Sequence, residues 1–182
     1  CRVGSPHRAT VDLDAVARNL ESLHRSIART AVTSSGGGQY RFEGEMDLDV
    51  IDVAPVPAEA LLEELGATGE PLTDLELNLV ALTWAHDTAT AVDVVAVDEV
   101  DGSRLAHAPR RHVATTAGLI AMKCTAAPLR ASTRPEKRAS DLYDLARLLL
   151  VTGDDGARTD ALPAALREAV EASGATLLHI HL

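Results

Sequence analysis

Asp12 and Asp14 stand two positions apart in the run Gly4-Ser5-Pro6-His7-Arg8-Ala9-Thr10-Val11-Asp12-Leu13-Asp14-Ala15-Val16. Side chains along a strand alternate faces, so in an extended segment both carboxylates point the same way. Carboxylates that close repel one another and resist burial unless a cation lies between them, and Mg²⁺ prefers oxygen ligands. The pair therefore reads as a metal site of the phosphoryl-transfer kind. Gly4-Ser5 just upstream suits a loop whose backbone N–H groups and hydroxyl cradle a phosphate; taken alone it is an ordinary Gly-Ser-Pro turn.

A further oxygen ligand is on offer in Met46-Asp47-Leu48-Asp49-Val50-Ile51-Asp52-Val53. Asp47 and Asp49 share a face there, and Asp52 points oppositely in a regular strand. Asp49, between Leu48 and Val50, is the first choice. Asp52 is the alternative, turned inward by a bulge, and at least one of the three simply faces solvent.

The formal net charge of -10 argues against broad, nonspecific nucleic-acid binding. Locally the balance reverses. Arg104, Arg110, Arg111, Lys123, Arg130, Arg134, Lys137 and Arg138 face the single acid Glu136 in that stretch, which can receive phosphates or form a solvated basic face. With one Trp, two Tyr and one Phe, the core has to come from Leu, Val, Ile and Ala. Cys1 and Cys124 form neither a metal spacing nor a disulfide framework, which suits a reducing cytoplasm. No apolar run is long enough to span a membrane. His179 and His181 share a strand face without further ligands nearby, and read as surface residues.

The elements that must carry these residues follow from periodicity. Thr10 to Asp14 is a strand and Ala15 to Arg29 a helix; Ser34 to Gly38 is a turn. Tyr40 to Phe42 and Met46 to Val53 are strands, and Ala58 to Leu65 is a helix. The alternation Leu75, Leu77, Leu79 predicts a strand, with a clearer one at Ala91 to Val97 and a turn at Asp101-Gly102. Thr115 to Ala127 is a helix that Pro128 ends or kinks. Ser140 is placed as N-cap of a helix from Asp141 to Val151 with Gly153 as its C-terminal cap. A last helix from about Ala161 to Ala172 and an edge strand from Thr176 to His181 follow.

In order along the chain, Gly-Ser-Pro-x-Arg-x-Thr-x-Asp-Leu-Asp, the acidic strand, Lys123 with Arg130, and Asp141-Leu142-Tyr143-Asp144-Leu145 resemble the AbiEii-type minimal nucleotidyltransferases. These are toxins of bacterial type IV toxin-antitoxin and abortive-infection systems, in the DNA-polymerase-beta-like nucleotidyltransferase superfamily. The resemblance implies an α/β (α+β) fold: a mixed sheet flanked by helices, with a nucleotidyltransferase-like lobe over residues 1–105 and a mainly helical lobe over 106–182. It implies that Asp12, Asp14 and Asp49 hold Mg²⁺ or Mn²⁺. It places Gly4, Ser5, Arg8, Thr10, Lys123, Arg130 and Asp141 at a nucleoside triphosphate, with Lys123 and Asp144 among the catalytic groups. Tyr143 reads as packing.

Each of these roles has a plainer competitor. Lys123 can be a solvent-facing lysine, Asp141 an acid placed in a helix's first turn by the macrodipole, and Arg130 a bridge to Asp141 or Asp144. The acceptor implied is RNA, with tRNA the leading case, and the partner a cognate antitoxin. Family members carry a strand, a helix and a Gly-Gly-x-Ala type segment ahead of the Gly-Ser-Pro turn, so the chain reads as N-terminally truncated. Two alternatives stay open: a noncatalytic binding protein of the same fold, and a nucleotidyltransferase acting on small molecules such as antibiotics.

Overall fold

Aspartates interspersed with aliphatic residues at Asp12–Ala17 and Asp47–Asp52 build two strands of the first sheet, and the more polar segments Thr33–Gly36 and Gln39–Arg41 build the other two. The computed structural model describes residues 12–18, 21–36, 38–43, 47–98, 100–152, 163–164 and 166–171. Its elements begin with β1 (Asp12–Ala17), α1 (Glu21–Ala28), β2 (Thr33–Gly36), β3 (Gln39–Arg41), β4 (Asp47–Asp52) and α2 (Ala58–Gly66). The four strands form one mixed sheet in the order β1-β4-β3-β2, with β1 and β4 parallel and the other neighbours antiparallel.

One face of this sheet is its core face. Tyr40 and Val50 are buried there, and Ala17, Ile27, Ala31, Phe42 and Leu48 pack against them. The opposite face of β4 carries Asp47 and Asp49, because side chains alternate. Gly38 closes the turn into β3 at φ 86°, where a Cβ would collide with the carbonyl oxygen of Val50. Its own carbonyl accepts from Val50 N at 2.8 Å, so this glycine lets β4 and the turn approach closely.

The rest of the described chain is α3 (Asp74–Asp87), β5 (Thr90–Val97), β6 (Arg104–Val113), α4 (Thr116–Leu129) and α5 (Pro135–Thr152), followed by a helical stretch at 166–171. Two compact units result, Cys1–Leu72 and Thr73–Leu182. The position 105/106, expected as the lobe boundary, lies inside β6. In the second unit α4 is the central helix: Ile120, Ala121 and Cys124 are all but inaccessible. Gly118 lets α3 come near, since a Cβ there would sit 3.1 Å from that of Ala85.

Several expectations need correction. The segment containing Leu75, Leu77 and Leu79 is helical, not a strand. Thr73 and Glu76 form a capping box at its start, and the apolar residues actually buried, Val80, Ala81, Trp84 and Ala85, recur at helical spacing. β1 runs on to Ala17 because it pairs with β4 as far as Asp52, so α1 starts at Glu21 rather than Ala15. Thr33–Gly36 is a strand, and the turn is confined to the residues after it. α5 begins at Pro135, whose fixed φ suits a first helical turn; Ser140 is therefore interior and not an N-cap. Pro128 falls in the last turn of α4, which ends one residue later. Gly153 and the strand expected from Thr176 to His181 lie outside the described residues.

Candidate active site

Two groups of side chains are candidates for the chemistry, one in each unit. In the first, the parallel register sets Asp14 opposite Asp49 and Asp12 opposite Asp47. The antiparallel register of β3 continues both rows, with Gln39 opposite Asp49 and Arg41 opposite Asp47. Register partners on neighbouring strands point to one face about 4.8 Å apart, so Asp14 and Asp49 are side by side on the face away from Val50. Asp52 is the register partner of Ala17 and belongs by alternation to the other face.

Arg41 is a member of this face that reading the sequence did not pick out. Its Nε and Nη2 donate to the two carboxylate oxygens of Asp47 at 2.6 and 2.8 Å. Those hydrogen bonds hold the Asp47 carboxyl below its ordinary range, burial opposes them, and the guanidinium charge adds to the lowering. Asp47 is thus committed to a cation already present. The signal was available in the hairpin: a turn between Arg41 and Asp47 makes them cross-strand neighbours. Behind the face, Arg18 at the end of β1 donates to the carbonyls of Ala54 and Val56 at 2.8 and 3.1 Å, tying β1 to the loop after β4.

Among the described residues no group of three or more His, Cys, Asp or Glu is arranged to hold a metal ion. Two adjacent carboxylates are nonetheless a donor set that suits Mg²⁺, which commonly takes one or two carboxylates and completes its shell with water and substrate phosphate. Gly4, Ser5, Arg8 and Thr10 lie outside the described residues, and of Asp12 the strand position alone is described.

In the second unit, Lys123 of α4 donates from Nζ to Asp141 Oδ1 at 2.8 Å and to Asp144 Oδ2 at 3.1 Å, both on α5. Arg130, at the end of α4, donates from Nη1 to the other oxygen of Asp141. Asp141 is buried and Lys123 keeps a side-chain exposure of 28%. Burial disfavours the lysine's charge, but the hydrogen bond and charge of Asp141, then of Asp144, outweigh it and raise its pKa above the ordinary value. The spacing of Asp141, Asp144 and the buried Leu145 puts all three on the α5 face toward α4. Because α5 starts at Pro135, the macrodipole of a first turn does not account for Asp141.

Fold and side chains together define a mixed α/β protein with paired strand carboxylates and a helix-borne ion cluster. The chain belongs to the AbiEii family, described as the nucleotidyl transferase AbiEii toxin of type IV toxin-antitoxin systems, whose model matches residues 1–181. No curated protein and no solved structure matches it. Among the described residues no helix is long and apolar enough to cross a membrane.

Proposed function

We propose that this chain moves a nucleotide from a nucleoside triphosphate to an acceptor hydroxyl on RNA, tRNA being the leading case, and that it does so in the cytoplasm as a toxin restrained by a cognate antitoxin. The observation that carries this reading is the register pairing of Asp14 with Asp49 on the face of the first sheet away from Val50. Those two residues, with Asp12, would hold Mg²⁺ or Mn²⁺. A divalent ion bound there supplies charge neutralisation and orientation to the triphosphate.

The chain's own groups would do the rest by positioning, since phosphoryl transfer asks little covalent chemistry of the protein. Gly4, Ser5, Arg8 and Thr10 would line the phosphate side. In the second unit Lys123, bonded to Asp141 and Asp144, is the cation to which the family resemblance gives a phosphate contact, and Arg130 bonds the same Asp141. The acidic net charge favours local docking of RNA on the basic stretch from Arg104 to Arg138 over wide electrostatic capture.

Incubating the chain with each α-labelled triphosphate, total tRNA and Mg²⁺ tests the reading and identifies nucleotide and acceptor together. Label should enter RNA with wild type and not with Asp14→Ala or with EDTA. Transfer that persists in Asp14→Ala at the wild-type rate overturns the assignment of the metal site.

A further inference from the structure

Among the described residues, the only buried side-chain nitrogen or oxygen without a hydrogen-bond partner is Nε of Arg138. A buried donor left unpaired costs free energy, and folded chains seldom keep one without a use for it. Arg138 stands two helical turns before Leu145 on α5, and Leu145 is fully buried where α5 packs on α4. Positions seven apart share a helix face, so Arg138 belongs to the α4 side of the helix.

The acids nearest it on α5 are otherwise engaged. Asp141, one turn further on, accepts from Lys123 with one carboxylate oxygen and from Arg130 with the other. Asp144, in the turn after that, accepts from Lys123. Glu136, two residues before Arg138, is exposed and projects from another side of the helix. Along the facing surfaces of α4 and α5, Lys123, Arg130 and Arg138 therefore stand with Asp141 and Asp144, an excess of positive charge.

We propose that Arg138 is a phosphate-binding residue, whose Nε–H and the guanidinium N–H beside it donate to a phosphoryl oxygen brought to the α4 side of α5. An arginine fork is charged at every working pH and matches phosphate oxygens two at a time. The need for an acceptor at Nε follows from the packing alone; the choice of a phosphoryl group rests on the nucleotide-transfer reading above. A nucleoside triphosphate and an RNA backbone both present that chemistry.

Thermal melts and isothermal titration of the full chain in EDTA test this, with tripolyphosphate and a short 5′-hydroxyl RNA as the two probes. EDTA keeps divalent metal and turnover out, so a failed metal site at Asp14 and Asp49 leaves these outcomes as they are. Without either probe, Arg138→Met should melt no lower than wild type, because it keeps the stem and removes a donor that has no acceptor. Wild type should bind at least one probe, and Arg138→Met should bind that probe at least about tenfold more weakly. Arg138→Lys, which keeps the charge and lacks the fork, should fall between them. The probe whose binding depends on Arg138 identifies the source of the phosphoryl group. The proposal is overturned by Arg138→Met melting below wild type in the absence of probe, by wild type binding neither probe, or by either variant binding as wild type does.

Discussion

Lys123 Nζ donates to Asp141 Oδ1 at 2.8 Å, joining α4 to α5 through a carboxylate that is 1% exposed. Asp141 also accepts from Arg130, while Asp144, with 31% of its side chain exposed, accepts from the lysine at 3.1 Å. Removing the buried anion leaves two cations without it. Asp141→Ala is therefore expected to cost about 3–5 kcal/mol, and Asp144→Ala about 1 kcal/mol. Urea denaturation checks the order; equal losses would contradict an anchor at Asp141.

The same cluster sets an alkaline limit. The folded chain holds the Lys123 proton more tightly than the unfolded chain does, whose lysine titrates near 10.5. Stability from this group is complete below that value and declines as pH rises through the raised folded value. Following the denaturation midpoint from neutral to alkaline pH, Lys123→Met should give a flatter decline than wild type. Parallel curves would show that the pairing contributes nothing to the fold.

Like charges in register predict opposite effects of one substitution with and without metal. Without divalent cations, Asp49→Asn should stabilise the chain by about 0.2–1 kcal/mol by relieving the pairing with Asp14. With Mg²⁺ at tenfold over its dissociation constant, wild type should gain about 1.4 kcal/mol, reversed by EDTA. Asp49→Asn should lose most of that gain. Thermal melts in EDTA and in Mg²⁺ separate the two effects, and an unchanged Mg²⁺ response in the variant would remove Asp49 from the ligand set.

Gly38→Ala should be costly beyond the usual price of a left-handed residue, because the new methyl meets the Val50 carbonyl. A loss of about 2–3 kcal/mol is expected, with faster amide exchange along β3 and β4. Tolerance of alanine would mean that the turn and β4 are not held together there.

At the start of α3, Thr73→Ala removes the side-chain half of the capping box that accepts from Glu76 N. The expected cost is about 1 kcal/mol, read as a lower denaturation midpoint, and Thr73→Ser should recover most of it.

Where residues alternate or recur strongly and near their partners, structure was legible from sequence: β4 around Leu48 and Val50, β5, α2 and the body of α4 stand where periodicity puts them. In α3, Leu75, Leu77 and Leu79 mimic a strand, and the competing signal, threonine with glutamate three residues on, is confined to the first turn. In α5 a serine before an aspartate has the look of a cap, whereas Pro135 starts the helix earlier. β6 carried no periodic signal, for its bulges break the alternation.

By itself the sequence determined the mixed α/β class, the candidate carboxylates and the family resemblance, because spacing of two along a strand and of three along a helix is a property of the local backbone. Only the tertiary structure decided which carboxylates meet. Strand register set Asp14 against Asp49 and gave Asp47 to Arg41, and helix packing brought Lys123 and Arg130 to Asp141. Those pairings join residues far apart in the chain, and no local rule specifies which distant charge arrives opposite a given strand or helix position.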